Sequence, residues 1–393
     1  MNICVLAFAH RVHDGRVMRQ ARTLANAGHR VTIVGRGCRF WKIRRYSEDV
    51  MACLELFSKP QSMIGRFFQD PFVFTVMTCL VLFGKKADVY YCHEYQSQII
   101  GWLAARARKA KMVYDCHEYQ PESIALQAGA LLPFLSEFAQ VCFRKFERMC
   151  MRRTDAFVTV NEDLAERLRQ DCPMGAVVPN YPTLAEFAAL ASPDDWVRRL
   201  AGKRVLLFAG YLSEGRGVDL CVRVLAEVRE NEPDACLLLV GGSTSRYRRH
   251  LEKLASELQL KDSLYMTGSV SHKVFVSFLS LAHVGLNLIQ PEPAKNRWAE
   301  PTKCFQYAAA GLPIVSGNLE ASARVVNEMG NGLLVDPVDV QDAAVAVTKL
   351  LSDEDLRVKL GERGRALFRE RMNAEAVSER LVEMFAQLAK NDL

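Results

Sequence analysis

Short apolar runs rich in β-branched residues alternate along this chain with longer segments of helical period, and this alternation narrows the fold more than any other feature. Runs at 3–9, 30–34, 89–92, 112–114, 156–160 and 176–178 read as strands, with a helix at 16–27 and helix-period segments between most of the others. A strand that is apolar on both faces is covered on both faces, and a helix between successive strands makes them parallel. The rhythm breaks at Asn180-Tyr181-Pro182, passes through an alanine-rich polar stretch ending at Gly202, and restarts. Strands are expected at 205–208, 236–240, 264–266, 284–288, 313–315 and 332–335, a helix at 219–229, and two or three amphipathic helices from Val340 onward. At 393 residues the chain is too long for one ordinary core. Two doubly wound α/β domains are predicted, 1–183 and 184–371, with a last helix at about 372–393 returning to complete the first. In such folds ligands bind at the carboxyl ends of the strands, here in a cleft between the domains.

The composition, 50% hydrophobic and 24% charged, excludes a disordered chain. The net charge of +6 is uneven: residues 1–190 carry 25 basic against 18 acidic groups, and the remainder 26 against 27. That modest excess, without long Lys/Arg blocks, argues against nucleic acid and suits an anionic membrane surface or acidic ligand. None of the twelve cysteines forms a C-x-x-C pair, and several sit in strand-like runs, so they read as reduced core residues of a cytoplasmic protein. The start, Met1-Asn2-Ile3-Cys4-Val5-Leu6-Ala7-Phe8, reads as a buried strand rather than a signal peptide. The longest apolar run, 71–83, falls well short of the ~20 residues a spanning helix needs and reads as a buried helix. Peripheral contact with an anionic membrane is the alternative, aided by Arg36, Arg39, Lys42, Arg44 and Arg45 beside Phe40 and Trp41. A second basic segment, Arg144, Lys145, Arg148, Arg152 and Arg153 with Phe143, Phe146 and Met149 between, is either a membrane-docking face or a solvated helix face.

Four constellations carry chemistry. The first strand exits into His10-Arg11-Val12-His13-Asp14-Gly15-Arg16, which lacks the G-x-G-x-x-G dinucleotide fingerprint. Asp14 there caps a helix or touches an acceptor, and Gly15 opens amides to an anion. Two strands end alike, His93-Glu94-Tyr95 and His117-Glu118-Tyr119, which places both pairs at strand carboxyl ends. Their spacing is not that of one helix, so a metal centre is not expected. Gly210-Tyr211-Leu212-Ser213-Glu214-Gly215-Arg216-Gly217 reads as a phosphate loop entering a helix, with Arg216 as its cation. Pro301-Thr302-Lys303 starts a short helix whose first amides suit an anion, and Gly311 stops it.

Taken together, Asp14-Gly15-Arg16-Val17 through Gly28-His29-Arg30-Val31-Thr32, the segment 114–118, Arg216-Gly217, 301–315 and Gly332-Leu333-Leu334-Val335-Asp336-Pro337 resemble the GT-B glycosyltransferases of family 4. The resemblance is weakest over 40–84 and 184–201. It implies two Rossmann-like domains facing a central cleft, the first for the acceptor and the second for the donor. It further implies retaining transfer from a nucleotide-diphosphate sugar, with neither metal nor other cofactor, to a saccharide or lipid-linked acceptor of the cell envelope. On the matching positions, His117 and its neighbour Glu118 are the catalytic pair. Gly15, Arg216, Ser269, Val270 and Gln306 are the donor contacts there; the residue reading adds Arg16, Gly210, Gly217 and Lys303 to the donor side and offers Asp14, His93 and Glu94 as acceptor contacts. Three positions depart from the pattern. Gln306 stands where a ribose-binding glutamate is usual, Trp298 where a second glutamate is usual, and Tyr211 where an arginine often follows the glycine. Glu292 or Glu300 are the candidates to replace the lost carboxylate. The departures keep two rival readings: a nucleotide-sugar epimerase of the same architecture, and a degenerate protein that binds nucleotide sugar or a partner without turnover.

Overall fold

A computed structural model describes the chain except residues 12–14, 38–41, 48–50, 58–83, 85, 123, 126–134, 189–193 and 391–393. Asp14, Arg39, Phe40, Trp41 and the apolar run at 71–83 therefore lie outside the described residues. The chain forms two units, Met1–Asn180 with Val377–Leu393, and Tyr181–Ala376.

The first unit is built on an eight-stranded sheet in the order β3-β4-β2-β1-β5-β6-β7-β8. Its strands are β1 (Asn2–Arg11), β2 (Arg30–Gly37), β3 (Lys42–Ser47), β4 (Met51–Phe57), β5 (Val89–His93), β6 (Lys111–Cys116), β7 (Ala156–Thr159) and β8 (Gly175–Val177). All pairings are parallel except β3 with β4. The β3–β4 hairpin was not expected from sequence; it places Lys42, Arg44 and Arg45 on an edge strand. Strand order reverses between β1 and β5, the position where doubly wound sheets open a ligand crevice. β5 is buried at every residue, as a strand covered on both faces must be. Leu6, Phe8, Tyr90, Cys92 and Met112 form one cluster, and Tyr114, Cys116 and Phe157 join Leu164 and Leu168 in another. The end of the last helix, Ala374–Lys390, completes this unit. Phe385 meets the ring of Tyr91 edge-on at 5.4 Å, and the Lys111 ammonium donates to the Leu388 carbonyl at 2.5 Å.

The second unit has six strands, all parallel, in the order β11-β10-β9-β12-β13-β14. These are β9 (Arg204–Ala209), β10 (Ala235–Val240), β11 (Leu264–Gly268), β12 (Val284–Asn287), β13 (Ile314–Gly317) and β14 (Gly332–Val335). The period of two divides each central strand between two cores. Leu206, Phe208, Leu237 and Leu239 face the helix Val218–Asn231 through its residues Val218, Cys221, Leu225 and Val228. Val205, Leu207, Leu238 and Val240 face the helix Thr302–Ala310 through Cys304, Phe305, Tyr307 and Ala308. Tyr307 anchors that helix under the sheet: its ring lies against Gly285, where a Cβ would sit 2.5 Å from Cδ2, and its hydroxyl accepts the Ala209 N–H at 2.9 Å. The three C-terminal helices are Val340–Ser352, Glu354–Glu370 and Ala374–Lys390.

Gly217 caps the helix Val218–Asn231 in the left-handed region (φ 75°), and a methyl there would lie 1.6 Å from the Leu288 carbonyl oxygen. Gly202 has the same backbone sign (φ 73°) but open space around it. Urea unfolding should therefore show Gly217→Ala losing more than about 2 kcal/mol, and Gly202→Ala only about 1 kcal/mol. Equal losses at both sites would remove the close approach as the cause.

Candidate functional site

In the first unit the functional residues collect where β5 and β6 end. These strands run in register with His93 opposite Asp115. Glu94, at φ 62°, turns the chain into the helix Tyr95–Arg108 and gives its N–H to the Asp115 carbonyl at 3.0 Å. Arg16, in the first turn of the helix Gly15–Asn26, is buried and grips the same carboxylate, with Nη2 2.9 Å from Oδ1 and Nε 3.2 Å from Oδ2. Its Nη1 donates to the Val178 carbonyl at 2.6 Å. The Tyr91 hydroxyl adds a contact at 3.0 Å to Asp115 Oδ2. Around that oxygen stand two imidazoles: His93 Nδ1 and His117 Nε2, each 3.3 Å away and 3.2 Å from one another. His117 Nδ1 faces Glu94 Oε1 at 3.3 Å, and the Gln120 amide donates to the other oxygen of Glu94. Burial alone would raise the Asp115 carboxyl, but the Arg16 guanidinium, then His117 and His93, outweigh it and hold it well below the usual range. Burial, then the Asp115 charge, pushes the Tyr91 phenol far up, so it remains a donor.

This arrangement corrects three expectations. Arg16 is not a donor contact: its guanidinium is spent on Asp115 and Val178. His93 is fully buried and Glu94 is 4% exposed, so neither has surface to offer an acceptor; both position His117. His117 sits half-buried at the edge of the cluster, and Glu118 and Gly15 are exposed. Asp115, Tyr91 and Gln20, absent from the sequence-based set, complete the network, Gln20 Oε1 accepting from Tyr91 at 2.8 Å. Asp115 lay two residues before a chosen histidine, and that spacing on a strand end was the available signal.

In the second unit a cavity of about 400 Å³ opens at the carboxyl ends of β9, β10 and β11. Gly210, Arg216, Ser269, Val270, Lys303 and Gln306 all line it, as does Tyr211. Gly217 is not among the described lining residues; its left-handed turn directs Arg216 there. Two loops cross beneath the cavity backbone to backbone, since a Cβ on Gly241 (φ 150°) would lie 1.8 Å from the Gly210 carbonyl oxygen. A Cβ on Gly242 would meet Ser269 Oγ at 2.3 Å. Gly241-Gly242, His272 and Phe275 are lining residues that sequence reasoning missed, although the glycine pair closing an apolar run was visible. The helix Thr302–Ala310 opens on Pro301 with no side-chain cap. In its first turn, Lys303 is buried; its Nζ rests 3.8 Å over the Phe208 ring centre and has no hydrogen-bond acceptor among the described residues. Burial pulls this ammonium down to about 8; Cys221 and Cys304 oppose that, and the Arg216 guanidinium adds to it. Among the described lining residues there is no Asp or Glu. Trp298, Glu292 and Glu300 do not line the cavity, so neither glutamate replaces the lost carboxylate there. A buried cation beside a second cation, without a counter-charge, is arranged for an anion.

The depressed Asp115 carboxyl makes a pH-dependent contribution of definite sign. Its stabilisation is fully present above the unfolded value of about 3.9 and is lost as pH falls through the lower folded value. Asp115→Asn, which leaves Arg16 buried beside a neutral amide, should cost about 3–5 kcal/mol at pH 7. In chemical denaturation the gap from the parent should narrow steadily below pH 4. A gap that stays constant into acid would show that the pair is not charged in the folded state.

Comparison with known proteins divides along the same two units. A model described as Glycosyltransferase Family 4 matches residues 16–181, and one described as Glycosyl transferases group 1 matches residues 195–367. The chain is 26% identical over 195 residues to spore coat protein SA of Bacillus subtilis, covering 47% of this chain and 49% of that protein. It is 30% identical over 173 residues to a GDP-mannose-dependent alpha-(1-6)-phosphatidylinositol monomannoside mannosyltransferase of Mycobacterium tuberculosis, covering 42% and 43%. These matches span about half the length of the curated relatives or less. In solved structures, the sucrose-phosphate synthase of Thermosynechococcus elongatus shares the fold over 100% of both chains, with a TM-score of 0.77 at 18% identity. With one family model over each unit and the same fold end to end, the chain belongs to the group 1/family 4 glycosyltransferases and has the two-domain α/β GT-B fold.

Proposed function

We propose that this protein transfers a sugar, with retention, from a nucleotide-diphosphate sugar to a cell-envelope saccharide or lipid-linked acceptor, and that transfer needs no metal. The observation that carries the reading is the second unit's cavity, lined by Arg216 and by Lys303, whose ammonium has no hydrogen-bond acceptor among the described residues, with no carboxylate among the described lining residues. A GDP-mannose-dependent mannosyltransferase of a phosphatidylinositol mannoside among the relatives supports both the donor class and the lipid-linked acceptor.

In the reaction the bond from the anomeric carbon to the diphosphate oxygen breaks, the acceptor oxygen bonds to the same carbon, and the acceptor proton passes to the leaving phosphate. The protein's main task is to stabilise charge on that phosphate. Arg216, Lys303 and the uncapped start of Thr302–Ala310 supply fixed positive potential there. Gln306 takes the ribose by hydrogen bonding, as an amide can where a carboxylate is usual. Ser269 and Val270 take the base through the turn after β11. His117, its ring held between Asp115 and Glu94, orients the transferred sugar with Glu118 beside it.

Thermal-shift titration with UDP-, GDP-, ADP- and dTDP-sugars, with and without EDTA, tests the donor. One nucleotide class should raise Tm equally in both conditions, and Arg216→Ala should abolish the shift. Because the Lys303 ammonium is the binding form, affinity should be full below pH 8 and weaken above it in the parent, but not in Lys303→Met. No shift with any nucleotide sugar would overturn the reading in favour of partner binding.

We further propose that the acceptor is met at an anionic membrane through a basic helix face. On the helix Leu135–Met151 and the turn after it, Phe138, Val141, Lys145, Arg148 and Arg152 follow three-four spacing and are all exposed. Lys145, Arg148, Met149, Arg152 and Arg153 line a shallow depression on this face. Phe143 and Phe146 are half-buried, Phe143 against Tyr95, so the apolar contribution comes from Phe138, Val141 and Met149 instead. Arg148 and Arg152 share the single Asp171 carboxylate at 3.0 and 2.9 Å while remaining mostly exposed, so the two guanidiniums keep a net positive charge. We expect co-sedimentation with anionic vesicles to drop sharply for the double variant Arg152→Glu, Arg153→Glu and to be weak with neutral vesicles. Unchanged binding would assign the face to solvent.

A further inference from the structure

We propose that the first unit carries a second binding site, for a neutral saccharide unit, in a cavity of about 340 Å³ within its helical layer. One wall is the helix Leu135–Met151, through Arg144, Glu147 and Arg148. Another is the end of the helix Glu162–Arg169 and the turn after it, through Arg167 and Asp171. Tyr119 and Glu122, beyond the end of β6, close the third side. The volume falls at the lower end of the roughly 300–1,000 Å³ that small-molecule sites span. Neither Asp115 nor the two imidazoles around it are among the described lining residues, so the cavity is separate from that cluster.

The lining decides the class of ligand. Its described residues bring three guanidiniums, Arg144, Arg148 and Arg167, against three carboxylates, Glu122, Glu147 and Asp171, so the formal charges cancel. An anion is repelled by the carboxylates and a cation by the guanidiniums. Hydroxyl groups, each donor and acceptor at once, are matched to both. Two acceptors stand ready for them. Glu147 is 4% exposed; its Oε2 accepts from Arg167 Nη2, while its Oε1 is buried with no hydrogen-bond partner among the described residues. Glu122 Oε1 accepts from Arg144 Nη2 at 2.9 Å, but its Oε2 is buried without a hydrogen bond, since Arg167 Nη1 stands 3.7 Å away. Buried carboxylate oxygens without donors carry a desolvation cost that ligand hydroxyls recover. Each guanidinium has five N–H groups, more than these carboxylates take up, which leaves donors for ligand oxygens. Arg167 is held in place by packing over the Tyr119 ring at 5.4 Å. Met151 and Leu168, both buried, add the apolar surface that the C–H face of a sugar ring requires.

The site binds without reacting, so it stands or falls apart from sugar transfer. Its test is saturation-transfer NMR titration of the whole chain, with no nucleotide present. The probes are the methyl glycosides of mannose, glucose, galactose and N-acetylglucosamine, with inorganic phosphate and spermidine as charged controls. At least one glycoside should bind, with saturation reaching its ring C–H protons. Arg144 and Gln170 are exposed on the rim, so both can be changed without opening the core. Arg144→Ala should weaken glycoside binding about tenfold, the worth of one charge-assisted hydrogen bond, and Gln170→Trp should block it. His117→Ala should leave it unchanged. No saturation transfer with any glycoside would leave the two carboxylates to water and overturn the proposal. So would binding that is lost in His117→Ala but kept in Arg144→Ala. Binding of phosphate or spermidine that Gln170→Trp abolishes would overturn the assignment to a neutral ligand.

Discussion

The first unit turns on one buried ion pair. Arg16 and Asp115 are 99 residues apart, yet the guanidinium takes both oxygens of the carboxylate and the Val178 carbonyl, tying the first helix to β6 and to the chain just after β8. Against an apolar replacement such a pair is close to neutral in stability, because desolvating two ions offsets their attraction; removing one partner alone is costly. Its value is therefore geometric. With Asp115 fixed and ionised, the two imidazoles and the Tyr91 phenol have a common anchor, and His117 is the member of that set left at the surface.

The second unit solves the opposite problem. Its cavity carries Arg216 and Lys303 with no carboxylate among the described lining residues, so the fold must hold an unfavourable arrangement in place. Backbone rigidity supplies the hold. Gly210 and Gly241 let two loops cross at a distance no side chain permits, and Gly217 lets the next helix begin against the Leu288 carbonyl. Tyr307 pins the helix that carries Lys303 by its hydrogen bond to Ala209. Lys303 is thereby kept over the Phe208 ring, with no hydrogen-bond acceptor among the described residues.

How much of this was legible in the sequence depended on whether local pattern or distant pairing decided the outcome. Continuous apolar runs such as 236–240 marked the central strands, because burial on both faces leaves no other composition. The glycine-punctuated loop at 210–217 and the Thr302–Ala310 helix start were legible as structure because their turns are written in consecutive residues. The β3–β4 hairpin was not, since an edge pairing is decided by a partner strand and its own residues read as a basic cluster. Arg16 was misread for a related reason. An arginine after a glycine at a helix start resembles an anion ligand, and only the parallel register that brings Asp115 across the sheet shows where its charge goes.

The same logic separates the two kinds of charged residue in this chain. In the first unit charges inside the fold find partners in the fold: Arg16 with Asp115, Glu94 with His117 and Gln120, and Arg167 with Glu147. Such groups set geometry, and His117 is the partly exposed edge of their network. In the second unit the Lys303 ammonium lacks an acceptor among the described residues, so a bound anion becomes part of the unit's own charge balance. Binding there should stabilise the fold as well as fill the cavity, because it removes a desolvation cost that the free protein carries.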